Sequence, residues 1–584
     1  MQYFNVSQRG RRLRLGHLVV AIGASLSFAI AGLPANAQSA RRGPVLSESA
    51  LYSYFGKIKG VTPELKELRS GLLLDGMSQS KASVQQVNAD YNLRPQDEPS
   101  IGILKGTAGS SARWVVGAND YAIGVPVGGG LYNSEHATYF APFPLLAATD
   151  GTNLLFTEPP AGTGDPAIAS GTTRATASIP AGRTVTYAAS LVFSASFCEN
   201  GVMVARSFDN GASWNRTRVP TFGASGFVTY WDNAFDCSVF NDKEYIAVDN
   251  TGGPHDGRIY ITWSRFLNDP TGLYQESAIA LAYSDDNAST FSTPVAISGT
   301  SSKFCLNHSN ALSPATACNE NQNSTPVVLA NGDLAVSFEN GNGAGFAAVR
   351  GQMLVTVYNA DTNTVVGPYQ AAPLVYDGAF DLPLTNDGSR QTFCNSNFRS
   401  GVDGSLAVDG SGALYLSYWD DKKHAGEFVT TTGGNIAVGD RSSGYACPAG
   451  KATDTDIYVL RSADGGVTWQ DATPNSGHAA NDQFWPWVAA NGSRVSVVFY
   501  DRSGDIYNKL IDTRLAGKSG RGGWGSNLIS TFSSNFDNAF FGGGNFAGDY
   551  INAAMDSAGQ THAAWTCVAP GKQDSDICMN KTDD

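Results

Sequence analysis

An all-β propeller of four-stranded blades, seven in number with six as the alternative, is the fold class this sequence predicts. Three observations carry it. A turn motif of the form S-x-D-x-G-x-x-W occurs at Ser207, Asp209, Gly211 and Trp214, and again at Ser462, Asp464, Gly466 and Trp469, with a near copy at Ser284, Asp286 and Phe291. An apolar strand, a Gly/Asn/Asp turn and an alternating strand recur seven times, beginning near Ile101, Ile168, Ile246, Val327, Leu406, Val488 and Ile551, roughly 60 to 80 residues apart. The composition agrees: 65 glycines, 29 Phe, 23 Tyr and 10 Trp, with only 16% charged residues, suit short strands and tight turns rather than helices.

In chain order, residues 1–37 read as an export signal. Arg9, Arg11, Arg12 and Arg14 form a basic region, Leu15 to Leu33 is an almost unbroken apolar run, and Ala35-Asn36-Ala37 supplies a small-x-small cleavage pattern. The run is short for a membrane span and ends in a cleavage site, which favours removal over anchoring. The expected location is secreted or periplasmic, with no membrane attachment after cleavage. Residues 38–95 form an N-terminal extension, with a short amphipathic helix over Thr62 to Leu68 and a polar loop from Ser78 to Gln86. Residues 96–584 are the propeller domain.

Each hairpin supplies strands A and B of a blade. A third strand is marked by Asp456-Ile457-Tyr458, Asp505-Ile506-Tyr507 and Asp576-Ile577-Cys578. The turn motif follows it and leads to strand D. Its chemistry is local: the Asp carboxylate accepts backbone N–H groups across a tight turn, the Gly permits positive φ, and the Trp covers the seam between hairpins. The last blade runs out of chain before its D strand. A strand from the N-terminal side of Asp97 would complete it and close the ring, removing the exposed edges.

Eight cysteines follow the signal: Cys198, Cys237, Cys305, Cys318, Cys394, Cys447, Cys567 and Cys578. An even count in an exported chain reads as disulfides. Pairing of sequence neighbours (198–237, 305–318, 394–447 and 567–578) is the simplest of the 105 possibilities. No C-x-x-C, H-E-x-x-H, G-x-S-x-G or Walker-type loop occurs.

Formal net charge is −13, and loss of the four signal arginines takes it to −17. That balance argues against nucleic acid and anionic membranes as partners. The expected partner is an extracellular glycan or glycoprotein, met by a monomer. Topology places the starts of A strands and the ends of B strands at one mouth of the central channel, with the turn motifs on the opposite face. Charge gathers at that mouth. Starts of A offer Asp97, Glu98, Asp165, Asp242, Glu244, Arg399, Asp482 and Asp549; ends of B offer Asp120, Arg265, Glu339, Asp420, Asp421, Asp501 and Arg502. Clustered carboxylates repel unless arginines, a cation or protons offset them, so a divalent cation such as calcium is an option as cofactor. The alternative is a set of ion pairs that cap strand ends.

The turn motifs, together with Asp242-Lys243-Glu244-Tyr245, Phe484-Trp485-Pro486-Trp487 and Gly548-Asp549-Tyr550, resemble the sialidase superfamily of secreted bacterial propellers, in which the turn is known as the Asp box. The resemblance runs from about Asp97 to the C-terminus. It implies a glycan-active protein nearest to an exo-sialidase. Such enzymes clamp a substrate carboxylate with three arginines and use a Tyr nucleophile paired with a Glu, plus an Asp acid/base. The first arginine's position is held here by Asp97. Arg265, Arg399 and Arg502 are the arginines expected at the mouth, with Asp97, Asp165 and Asp549 beside the substrate. Glu244 and Asp482 are the acid/base candidates, and Tyr121 or Tyr550 the nucleophile. A non-catalytic glycan- or protein-binding propeller and a cation-dependent polysaccharide-degrading enzyme are the alternatives.

Overall fold

The computed structural model describes residues 85–87, 95–121, 128–142 except 135, 160–212 except 195–197, 214, 228–269 except 234–236, 274–306, 313–341, 351–375, 383, 385, 391–424 except 402, 429–430, 447, and 450–582 except 521, 541–543 and 545. The export signal and the Thr62–Leu68 helix lie outside these residues.

Seven antiparallel four-stranded sheets form a ring. Their innermost strands are Gln96–Ile103, Pro160–Thr172, Val239–Val248, Asn321–Val328, Ser405–Val408, Gln483–Asn491 and Asn552–Met555. Each packs against the next, and the seventh packs against the first. The Ile101 and Ile551 hairpins belong to different blades, which settles the count at seven. In the last blade, Gln85 and Gln86 pair with Met579 and Cys578 as the fourth strand. The ring is therefore closed by the N-terminal side of the chain, and two residues expected as loop are strand. The four disulfides join neighbouring cysteines as the spacing suggested. Cys567–Cys578 ties the two strands beside that closure. Among the described residues no helix is long and apolar enough to cross a membrane.

The three S-x-D turns follow the third strands of the second, third and fifth blades, as expected. Each serine hydroxyl bonds its aspartate: Ser207–Asp209 at 2.7 Å, Ser284–Asp286 at 2.8 Å and Ser462–Asp464 at 2.7 Å. The same oxygens accept the amides of Gly211, Ala288 and Gly466. These residues all have positive φ, of 79°, 60° and 94°, so Ala288 takes the left-handed shape that glycine adopts in the full copies. Trp214 is fully buried, while Trp469 and Phe291 are half-buried. Hydrogen bonds from Thr468 and Ser462 hold the exposed Asp464 carboxyl down at about 2. These residues are consumed by turn chemistry.

One strand marker is misread by sequence. Asp505-Ile506-Tyr507 is a turn, and the third strand of its blade is Asp512–Ser519. Asp505 accepts the amides of Tyr507, Lys509 and Leu510 with its own carboxylate, which competes with strand pairing.

Candidate functional site in the central channel

Five of the seven innermost strands share a defect. Their register slips between Asp97 and Ser100, Gly164 and Ala167, Asp242 and Tyr245, Gln322 and Thr325, and Phe484 and Trp487. The residue inside each bulge has positive φ: Glu98 at 51°, Asp165 at 52°, Lys243 at 52°, Asn323 at 59° and Trp485 at 46°. The seventh blade uses Gly548, at 87°, where an added Cβ would lie 2.9 Å from the Glu98 amide. Left-handed non-glycine residues cost on the order of 1–3 kcal/mol each. A bulge re-aims side chains. Lys243 and Glu244 are successive, yet both line one pocket, which strict alternation along a strand would forbid.

Two cations anchor the centre. Arg399 grips Asp549 with both arms of its guanidinium, Nε to Oδ1 at 2.8 Å and the terminal nitrogen to Oδ2. Lys243 Nζ lies 3.5 Å from Asp549 and 3.7 Å from Glu98, and 3.9 Å from the centre of the Tyr550 ring. Burial opposes ionisation of Asp549, but Arg399 and then Lys243 outweigh it and hold its carboxyl at about 2. Burial would also lower the Lys243 ammonium; Glu98 and Asp549 overcome that and raise it. Glu98 is pushed well up by burial, against the pull of Lys243. Asn119 donates to Glu98 at 2.5 Å and accepts the Asp165 amide at 2.8 Å, which ties the first two bulges together.

Beside this network opens a pocket with an empty volume of about 350 Å³, its mouth included. Lys243, Glu244, Tyr245, Asp403, Trp487 and Tyr550 line it, from four blades. Tyr245 and Trp487 have ring centres 5.2 Å apart, and Trp487 and Tyr550 6.4 Å apart. Glu244 is 3% exposed, and neither carboxyl oxygen has a hydrogen-bond partner. Burial, then the charge of Asp165, pushes its carboxyl well above the usual range. Asp403 accepts the Asn323 amide on Oδ1, while Oδ2 is buried and unpartnered. Burial raises Asp403 to about 7, with Lys243 partly opposing and Asp549 adding. The pocket therefore combines two carboxyls raised above their ordinary range, Asp403 to about 7, with a cluster of tilted aromatic rings. Among the described residues no three His, Cys, Asp or Glu side chains are arranged to hold a metal ion.

The sequence candidates divide. Glu244 and Tyr550 line the pocket, and Asp97, Asp165, Asp549 and Arg399 surround it. Tyr121 is fully buried, edge-on to Phe540 at 5.0 Å, and does not line the pocket. Asp482 and Arg502 pair with each other at 3.4 Å, within an aromatic box of Phe393, Phe398 and Phe484. Asp482 also accepts from Thr453, Thr455 and Asn508, so its acceptor sites are filled from inside the blades. Arg265 faces Asn241 and Ala278 in the third blade and does not line the pocket either. Arg399 and Arg502 meet different carboxylates rather than one ligand site. Asp501 pairs with Arg514 at 2.7 Å. Sequence reasoning missed Lys243 and Asp403.

No family model matches this chain, and no curated protein matches it. Solved structures do match. A protein of unknown function from Dyadobacter fermentans DSM 18053 is 11% identical with a TM-score of 0.38, over 85% of this chain and 98% of that one. The Hadza microbial sialidase Hz136 is 12% identical with a TM-score of 0.37, over 81% and 73%. An ulvan lyase of polysaccharide lyase family PL25 is 11% identical with a TM-score of 0.38, over 85% and 95%.

Proposed function

We propose that the protein is exported and acts on an extracellular glycan at the channel pocket, as a glycoside hydrolase with Asp403 as proton donor and Glu244 as second carboxyl. One observation carries this reading: two carboxyls with unpartnered oxygens arrive in one pocket beside Tyr245, Trp487 and Tyr550. Glycoside hydrolysis needs a proton donor and a second carboxyl flanking the bond, and aromatic faces stack on sugar rings. Asn323 holds one oxygen of Asp403 and leaves the other without a hydrogen-bond partner.

The sialidase-type alternative assigns the nucleophile to a tyrosine, and of the two pocket tyrosines Tyr550 is the candidate named from sequence, near Glu98 and Glu244. Burial and those carboxyls push its phenol well up, the opposite of what a nucleophile needs. Arg399 is taken by Asp549 and Arg502 by Asp482, which leaves no three-arginine clamp among the described residues to favour a sialoside. Four disulfides support export to an oxidising compartment.

The test is a panel of neutral, amino- and acidic oligosaccharides, sialosides included, assayed for new reducing ends. Cleavage of at least one substrate, lost in Asp403→Asn, is expected. Binding without cleavage across the panel contradicts the hydrolase and supports a binding propeller.

A further inference from the structure

Resting on that reading, we infer that the glycan carries amino groups: the pocket is built to receive a sugar ammonium. Charge balance points there. Five carboxyls, from Glu98, Asp165, Glu244, Asp403 and Asp549, gather around Lys243, with Arg399 as the second cation. Both cations are already engaged. Arg399 is closed by Asp549, and Lys243 lies between Glu98 and Asp549. The carboxyls left facing the pocket are Glu244, with two unpartnered oxygens at 3% exposure, and Asp403, with one.

A carboxylate ligand would have to break the Arg399–Asp549 pair or settle among like charges. A ligand with hydroxyls alone satisfies the orphan oxygens but leaves the charge excess uncompensated. An ammonium does both, since its positive charge favours the ionised form of each carboxyl and its three N–H groups donate to the unpartnered oxygens. The rings add to it: cations are drawn to aromatic faces. The chain itself demonstrates the fit. Lys243 holds its ammonium 3.9 Å from the Tyr550 ring centre without one hydrogen bond closer than its two ion pairs. The Trp487 ring and Glu244 offer a second ammonium a comparable setting in the same pocket. Burial and the charge of Asp165 push the Glu244 carboxyl up, and an arriving ammonium favours its ionised form.

The probes are a glucosamine tetramer, its fully N-acetylated counterpart and a galacturonate tetramer, titrated against the full chain by calorimetry at low salt. The glucosamine tetramer should bind at least about tenfold tighter than the acetylated one, with the galacturonate weakest and the preference shrinking as salt is added. Glu244→Gln should bring the ratio of the first two toward one; if that variant fails to fold, Asp403→Asn is measured in the same way. Equal binding of the first two, or tighter binding of galacturonate, overturns the inference. Cleavage without amine preference also overturns it and leaves the hydrolase standing. Tight binding of the amine tetramer without cleavage upholds the inference and removes the hydrolase.

Discussion

Arg399→Ala is expected to cost about 3–5 kcal/mol of stability, the usual consequence of removing one partner from a buried ion pair. Arg399 is 5% exposed and Asp549 4%. Without the guanidinium, Asp549 retains the looser contact with Lys243 at 3.5 Å and its hydrogen bond with the Glu98 carboxyl. Its carboxyl stands near 2 in the folded chain, below the unfolded value of about 3.9. A depressed carboxyl contributes stability that is present above its unfolded pKa and lost as pH falls toward its folded one. The gap between wild type and variant in urea midpoint should therefore be widest at neutral pH and narrow from about pH 4 toward 2. An unchanged midpoint at pH 7 would show that the pair is not structural and would restore Arg399 as a ligand for substrate.

Asp403→Asn is expected to lower turnover by about 10²–10⁴-fold while leaving thermal stability close to wild type. The proton donor must be protonated in the free enzyme. With Asp403 raised to about 7, kcat/KM should fall as pH rises through neutrality, and that limb should vanish in the variant. Asp403 titrates within one network with Lys243 and Asp549, so the observed value belongs to the group as a whole. Asn323→Ala provides the positioning control. It frees Asp403 Oδ1 without touching its chemistry, and should shift the pH limb rather than abolish it. A wild-type pH profile in Asp403→Asn would mean that another group donates the proton.

The propeller was legible because its signals are local. Period-2 strands about Gly turns declare hairpins, and the S-x-D turn fixes a third strand to a fourth. Even the closing strand followed from counting, since the seventh blade lacked one. Of the charged residues named at the mouth, Asp165, Glu244, Arg399 and Asp549 lie in one network with Lys243. What sequence could not show is which way each side chain turns, because one residue of slip in a strand reverses it. The bulges are such slips. Asn323 precedes Pro326 by the same three residues that separate Lys243 from Ile246, so the fourth repeat begins at Pro326 rather than Val327. The fifth begins at Leu406 as read from sequence, two residues before its hairpin-closing pair Val408 with Leu414, as Pro326 is before Val328 with Leu334. Asp403 then falls in register with Lys243 and Asn323, three residues before the repeat start, and an alignment of the repeats on their hairpin turns would have found it. Asp482 and Arg502 were read correctly as strand-end residues, but their side chains turn into the aromatic box between blades.

The central claim is that the channel pocket is where the glycan binds, and a crystal structure of Asp403→Asn soaked with a substrate oligosaccharide tests it most directly. The account predicts a sugar ring stacked on Trp487, with polar groups within hydrogen-bonding distance of Glu244 and of residue 403. A sugar bound elsewhere on the propeller, with the pocket filled only by water, would contradict it.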